Sequence, residues 1–332
     1  MSEIAVNAIT DASGGSTASI NGYTPTVSNM AGRNRIINGD MRVAQRGTSG
    51  TTTSSGYVSL DRWRAYISTS STVTLSQQTF TPGQTDVSGD PEFFMRYDWL
   101  GTGSPSTKIV MQRIENVKSL VGAVTLSFYA KTELGDNIDV EVYQNFGSGG
   151  STEVTAIDQT IDVTDAWAKY TVTFTLPSLS GKTIGASSYI EVSFASRDTT
   201  ANSYLDLADV QLEAGSVATP FERRQYGQEL ALCQRYYEII GRAIGISGYA
   251  DIWSKPLNSF TNCWTDVRFK VEKRAPNYSF GLFPTWAWAQ AAPTIRVAST
   301  SAIVFSAPTH NFVLNTSGFN NNEPAAFVSS EL

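Results

Sequence analysis

The chain has 332 residues, enough for two domains and a terminal arm, and its hydrophobic content of 41% excludes a wholly disordered protein. Its net charge of −6 disfavours nucleic-acid binding, which needs Lys and Arg patches that neutralise phosphates. No apolar run approaches the roughly 20 residues that cross a bilayer, so we expect no membrane insertion.

Residues 1–33 are small and polar and are rich in Gly and Ser. This composition is typical of a disordered tail, although weak apolar anchors such as Ile4, Ile9 and Tyr23 also allow an arm that orders against a partner. No basic segment precedes an apolar core, so we expect no secretion signal. The two cysteines predict no disulfide framework, which favours synthesis in a reducing cytoplasm.

Residues 34–221 have the pattern of an antiparallel β-sandwich. Apolar side chains alternate with polar ones along short segments, and Gly, Ser, Asp and Asn clusters separate these segments as turns require. The pattern predicts an all-β jelly-roll sandwich. The clearest strand candidates are residues 124–130, 138–144, 170–176 and 189–194.

The two ends of this region are predicted to be neighbouring strands. Ile36 and Ile37 form a buried run that ends in a polar turn at residues 38–40, and residues 204–224 contain the closing strand. The apolar alternation of the closing strand shifts by one residue at Ala208 and Asp209, which predicts a β-bulge.

Residues 222–240 change to a helical period, with one apolar stripe and a stop at Gly241, and predict a linking helix. Residues 241–332 then predict a small C-terminal β domain. Its strand candidates are residues 266–272, 293–299, 301–307 and 310–315.

An ordered string of motifs gives residues 34–240 a resemblance to phage tail-fibre and virion-appendage modules. The motifs are NRIINGDMRVAQRG, YVSLDRWRAY, MQRIEN, VTLSFYAK, FGSGGST, DLADVQLEAGSVATPFERR and LCQRYYE. More distantly, NGD, VTLSFYAK and DLADVQLE resemble secreted carbohydrate-binding modules of the jelly-roll kind. The resemblance implies a virion structural protein that binds host surface polysaccharide, usually as an oligomer such as a trimer. It implies no cofactor beyond a structural Ca²⁺ at the two ends of the domain.

Four acidic residues near the ends of the sandwich are candidate metal ligands. Ca²⁺ takes six to eight hard oxygen ligands, some of them backbone carbonyls. Asp40 in the opening turn would meet the closing strand if the two ends are neighbours, although a turn residue that bonds its own backbone is an equally simple interpretation. The predicted ligands are Asp40, Asp206, Asp209 and Glu213.

Aromatic residues are candidates for glycan binding, because sugar rings stack on Trp and Tyr. Tyr143 is predicted to face outward together with Asp139 and Glu141, whereas Trp63 is predicted to lie in the core. In the second domain we predict that Trp286 and Trp288 bind glycan, although aromatic residues are also enriched at oligomer interfaces.

Nothing in the sequence predicts a catalytic centre. The one histidine, His310, has no nucleophile motif to accompany it. Asp139 and Glu141 share a strand face, as the two carboxylates of a glycosidase would, but a solvated sheet face is favoured. We therefore expect a non-enzymatic tail fibre that attaches to other virion proteins through residues 1–33. The alternatives are a head decoration or head-fibre protein and a polysaccharide-degrading tail enzyme.

Overall fold

A computed structural model of the chain divides into two units, Met1–Arg224 and Gln225–Leu332. This division lies close to the predicted end of the sandwich. The described residues are 32–67, 72–100, 108–133, 137–196, 202–244, 249–250, 262–274, 279–282, 294–299, 302–308, 324–329 and 331.

The first unit contains eleven named strands and one short 3₁₀ helix, Val117–Ser119, among its described residues. The four clearest strand predictions are confirmed by the strands Gly122–Thr132, Asn137–Asn145, Ala168–Leu176 and Tyr189–Ser196. The strands are β1 (Ser49–Thr52), β2 (Arg64–Ile67), β3 (Thr72–Thr79), β4 (Phe93–Leu100), β5 (Lys108–Glu115), β6 (Gly122–Thr132), β7 (Asn137–Asn145), β8 (Val154–Asp162), β9 (Ala168–Leu176), β10 (Tyr189–Ser196) and β11 (Asn202–Ala214).

These strands form two antiparallel sheets, a six-stranded sheet in the order β1-β3-β4-β11-β6-β9 and a five-stranded sheet in the order β2-β5-β10-β7-β8. The prediction of an all-β jelly-roll sandwich is confirmed.

The core lies between the sheets and takes the inward side chains of both. Val140 and Val142 of β7 are fully buried, as are Leu126 and Phe128 of β6. The prediction that Trp63 belongs to the core is confirmed, because its side chain is 0% exposed and its Nε1 donates to the Asn38 carbonyl at 3.0 Å. Large aromatic side chains of this kind supply much of the apolar area that folding buries.

The opening segment differs from its prediction. Residues 34–40 contain no strand: residues 36–40 form bends and a turn, and Asn38 and Met41 adopt positive φ angles of 59° and 61° that a strand does not allow. The predicted proximity of the two ends is nevertheless found. Arg35 N donates to the Leu212 carbonyl at 2.8 Å, and Val210 N donates to the Gly39 carbonyl at 3.0 Å.

The predicted β-bulge in the closing strand is confirmed. The register between β11 and β6 shifts between Ala208 and Gln211, and Asp209 within the shift has φ of 47°. A bulge bends its strand and redirects the side chain at that point. The bulge therefore sets the direction of the Asp209 side chain, which is buried at 3% exposure.

The second unit begins with a helix that is shorter than predicted. Helix α1 covers Tyr226–Gln234, and strand β12 already begins at Tyr237. The change follows from the residues at the end of the predicted helix, since aromatic and β-branched side chains such as Tyr237 and Ile239 favour strands.

The described strands of the second unit are β12 (Tyr237–Ile244), β13 (Tyr249–Ala250), β14 (Asn262–Arg268), β15 (Ser279–Leu282), β16 (Thr294–Ser299), β17 (Ala302–Pro308) and β18 (Pro324–Ser329). They form two further sheets, in the orders β13-β12-β18-β15 and β14-β17-β16. No described helix is long and apolar enough to span a membrane. Trp286, Trp288, His310 and the strand candidate 310–315 lie outside the described residues.

Candidate functional site

The outer face of the five-stranded sheet carries a row of tyrosines. Alternation along each strand directs every second side chain away from the core. On β10, Ile190 is buried in the core while Tyr189 beside it is half-buried on the opposite face. The same alternation places Tyr143 of β7 and Tyr66 of β2 on this outer face, each half-buried. The sheet therefore presents aromatic surfaces whose positions are fixed by the strands that carry them.

An arginine of β5 lies on this face beside the tyrosine of β10. Arg113 of β5 is the cross-strand partner of Glu191, and its Nε lies 2.7 Å from Glu191 Oε2. The Arg113 guanidinium also lies over the Tyr189 ring, 4.4 Å from its centroid. Glu191 is in turn the cross-strand partner of Tyr143 on β7. These four residues form a patch that we call the tyrosine platform: Arg113, Tyr143, Tyr189 and Glu191.

Both platform tyrosines are held in their phenol form. Burial raises the pKa of Tyr143, and its hydrogen bond to Glu141 raises it further. Burial likewise raises the pKa of Tyr189, although the charge of Arg113 opposes this effect. A neutral phenol can donate its O–H to a hydrogen bond at any ordinary pH, as Tyr143 does to Glu141.

An acidic trio, formed by Asp139, Glu141 and Asp158, continues the face beside the platform. Their carboxylate oxygens lie within 4.8 Å of one another, so this cluster has the spacing to hold a cation. Thr160 Oγ1 donates to Asp139 at 2.7 Å, and Ser193 Oγ donates to Glu141 at 3.3 Å. Tyr143, Asp139 and Glu141 thus share one strand face as predicted, but Asp139 is only 3% exposed.

Two of the four predicted metal ligands meet at the bulge. Asp40 and Asp209 interact electrostatically, and the Oδ1 atom of each is buried without a hydrogen-bond partner among the described residues. Their other oxygens are paired, Asp40 Oδ2 with Arg42 Nε at 2.5 Å and Asp209 Oδ2 with Arg223 Nη2 at 2.8 Å. Two aspartates and two arginines therefore form a cluster whose formal charges cancel.

Burial dominates the titration of this cluster. It raises the pKa of Asp209 to about 6, against the opposing charge of Arg223 and with a further increase from Asp40. Burial also raises the pKa of Asp40, against the charges of Arg42 and Arg223. In a buried cluster each carboxylate is costly to ionise, even with an arginine beside it.

The other two predicted ligands have separate partners. Asp206 accepts two hydrogen bonds from Arg96, each 2.8 Å long, and Lys131 Nζ lies 3.7 Å from its Oδ2. Glu213 accepts from Thr219 Oγ1 at 2.7 Å and from Gln211 Nε2 at 2.9 Å. The structure therefore brings together Asp40 and Asp209 but not the predicted quartet.

The Asp40–Asp209 pair does not fit the Ca²⁺ that the resemblance implies. Its two oxygens without partners are hard ligands, but Ca²⁺ takes six to eight of them. Arg42 and Arg223 already balance both negative charges, so the pair offers no net charge to a divalent cation. Of the acidic groups described, the trio on the outer face is the one whose spacing suits a metal.

Sequence reasoning did not select Arg113 or Tyr189 for this site. Arg113 has Glu191 as its ion-pair partner, and the pair lies on the outer face of the sheet. The signal for Tyr189 was present, because Tyr189 and Glu191 alternate with Ile190 in the strand. The pairing of β5 with β10 could not be read from either strand alone.

No protein-family model and no curated protein matches this chain. Among solved structures, it is similar to the N-terminal cellulose-binding domain of Cellulomonas fimi β-1,4-glucanase C, at 18% identity and a TM-score of 0.31, over 53% of this chain and 100% of that domain. It is also similar to a family 11 carbohydrate-binding module from Clostridium thermocellum, at 12% identity and a TM-score of 0.33, over 52% and 98% of the two chains. A third similar structure is the enzymatically active domain of bacteriophage CBA120 tailspike protein 4, at 13% identity and a TM-score of 0.33, over 54% of this chain and 21% of that one. At such identities and scores, function has to be argued from the chain's own residues.

Proposed function

We propose that the first unit is a non-enzymatic glycan-binding module of a phage virion appendage, such as a tail fibre, and that it binds host surface polysaccharide. The observation that carries the binding proposal is the tyrosine platform, in which Arg113 stacks on Tyr189 beside Tyr143 and Glu191. The virion assignment is supported by the ordered motifs of residues 34–240.

The platform has the chemistry that a polysaccharide needs. Aromatic rings offer flat apolar surfaces to the C–H faces of sugar rings. Guanidinium and carboxylate groups bond sugar hydroxyls with charge-assisted hydrogen bonds, which are stronger than neutral ones. The ion pair and the stacking hold Arg113 before any ligand arrives, so little side-chain entropy remains to be lost on binding.

The acidic trio supports binding better than hydrolysis. Glycosidases place two carboxyl groups on either side of the scissile bond, about 5 to 9.5 Å apart. The trio instead forms one patch, with its oxygens within 4.8 Å of one another. Three oxygen donors so arranged suit Ca²⁺, and we infer that any calcium held by this unit binds at the trio.

The test is affinity electrophoresis of the full chain in gels that contain bacterial surface polysaccharides. We expect at least one polysaccharide to retard the protein, and the variants Tyr143→Ala and Tyr189→Ala to lose the retardation. The control is Thr171→Ala, an exposed position on β9 of the other sheet. Retention of binding in both tyrosine variants would place the glycan elsewhere. New reducing ends after incubation would favour the polysaccharide-degrading enzyme instead.

The place in the virion is a separate proposal. We infer that residues 1–33 attach the protein to other virion components and that it assembles as a homotrimer. Deletion of residues 1–33 should leave a folded protein that no longer joins the particle. Copy number distinguishes the alternative, since tens of copies or fewer fit a tail fibre and hundreds fit a head decoration or head-fibre protein.

A further inference from the structure

A pocket lies on the other sheet of the sandwich, beside the bulge in β11. Its volume is about 320 Å³, at the small end of the range for ligand pockets. The bulge supplies Asp209, strands β6 and β9 supply residues from the sheet, and the segment after β11 closes one side. Its lining includes Ser127, Tyr129, Lys169, Asp209, Phe221 and Arg223.

One carboxylate oxygen of Asp209, at the pocket, accepts no hydrogen bond from the described residues. The residue is 3% exposed, and its Oδ1 has no hydrogen-bond partner among the described residues. Arg223 occupies the other oxygen, Oδ2, at 2.8 Å. A buried acceptor without a partner costs free energy, so a ligand that donates a hydroxyl to Oδ1 gains by satisfying it.

The pocket also carries one surplus positive charge. Its lining contains one carboxylate, from Asp209, and two cations, from Lys169 and Arg223. Asp40 lies nearby, but Arg42 balances it. Lys169 is exposed, so its ammonium group can reach a ligand at the pocket mouth. A ligand with one negative charge would therefore leave the pocket neutral.

We propose that this pocket is a second ligand site that binds one acidic sugar residue, a uronic acid. The sugar carboxylate pairs with Lys169, and a ring hydroxyl donates to Asp209. The Phe221 ring, over which Arg223 lies with 5.3 Å to its centroid, supplies an apolar wall for the C–H face of the sugar. The free acid and a terminal uronic acid of a polysaccharide share this chemistry.

A simpler ligand pairs with only one of two groups, the Lys169 ammonium or the Asp209 carboxylate. An inorganic anion pairs with Lys169 but has few or no hydroxyls for Asp209. A neutral sugar supplies hydroxyls but leaves the ammonium charge unpaired. Discrimination by a charge-assisted hydrogen bond is worth about tenfold in affinity or more. The proposal therefore predicts a definite order of ligands.

The experiment is calorimetric titration of the full chain with glucuronate, glucose and inorganic phosphate, and with an oligosaccharide made of uronic acids. We expect glucuronate or the oligosaccharide to bind at least about tenfold more tightly than glucose and phosphate. Binding of one, the other or both identifies the source of the sugar. Phosphate binding as tight as that of glucuronate would make this an anion site and overturn the proposal, as would equal binding of glucose.

Two variants assign the binding to this pocket. Lys169→Gln should weaken glucuronate binding about tenfold, whereas Lys118→Gln, at an exposed lysine of the 3₁₀ helix, should not change it. An unaltered Kd in Lys169→Gln would refute the assignment without depending on a buried substitution.

Discussion

Arg113 and Glu191 are direct partners across the β5–β10 ladder, and their ion pair, 2.7 Å between Arg113 Nε and Glu191 Oε2, lies on the outer face of the sheet. A partly exposed ion pair of this kind contributes at most about 1 kcal/mol to stability. Its larger effect is on the position of the guanidinium, which it holds above the Tyr189 ring. The pair therefore fixes the position of the guanidinium more than it stabilises the fold.

Arg113→Met tests this interpretation. We expect the variant to bind polysaccharide about tenfold more weakly, because it loses charge-assisted hydrogen bonds to sugar hydroxyls. Its free energy of unfolding should fall by less than about 1 kcal/mol. Affinity electrophoresis and urea unfolding measure the two effects separately. A large loss of stability with unchanged affinity would show that the arginine serves the fold.

Gly39→Ala should destabilise the contact between the opening segment and the bulge. A Cβ atom at this position would overlap the Val210 carbonyl, which is backbone and cannot rotate away. We expect a loss of roughly 2 to 3 kcal/mol in urea unfolding. Gly56→Ala is the matched control, because its Cβ would meet only a Val58 methyl group at 3.9 Å. Equal free energies of unfolding for the two variants would mean that the opening segment shifts to accommodate the added methyl group at little cost.

Much of the fold was predictable because hydrophobic alternation depends on residues next to one another. It identified β6, β7, β9 and β10, and its phase shift identified the bulge at Asp209. The opening segment was not predictable in the same way. Its two isoleucines suggested a strand, whereas the positive φ angles of Asn38 and Met41 depend on hydrogen bonds such as that from Asn38 Nδ2 to the Val43 carbonyl.

The candidate site depends more strongly on tertiary structure. Tyr143 could be assigned to an outer face from its own strand, but its neighbours come from β5 and β10. The metal quartet was predicted from acidic residues near the closing strand. In the structure an arginine can bind such a carboxylate in place of a metal, as Arg96 binds Asp206. The spacing of residues along the sequence does not indicate that Arg96 is the partner.

Oligomerisation is predicted from the resemblance and from the low charged content of 16%, since exposed strand edges usually need charge or cover. Sedimentation at micromolar concentration should give a trimer. Replacing both Trp286 and Trp288 by Ser should give monomers or insoluble protein if they form the interface. A wild-type monomer would contradict the trimer, and a soluble trimeric double variant would leave the two tryptophans available for glycan binding.

Calcium provides a test of the acidic trio. Ligands that bind only the folded state raise the unfolding temperature by mass action. We expect millimolar Ca²⁺ to raise it modestly relative to chelator, because Asp158 is exposed and a shallow site binds weakly. Asp158→Asn should abolish the increase and Asp40→Asn should not. The reverse pattern would place the ion at the bulge, and an unchanged melting temperature would exclude a calcium ion that stabilises this unit.

The buried carboxyl group of Asp209 should make the stability of the fold depend on pH. Its pKa is raised from the ordinary value of 3.8 to about 6, mainly by burial and secondarily by Asp40, with Arg223, Arg42 and Lys169 opposing the increase. The folded chain therefore binds a proton at a higher pH than the unfolded chain, so this group destabilises the fold above pH 6 and the penalty disappears as the pH falls toward 4. The full penalty is on the order of 3 kcal/mol, and roughly half of it is relieved between pH 7.5 and pH 5. Asp209→Asn carries no such proton, so wild type should gain stability relative to the variant between pH 7.5 and pH 5 in urea unfolding. An unchanged difference in stability between the two proteins over that interval would mean that the carboxylate is stably ionised by its arginine and that its pKa is not raised.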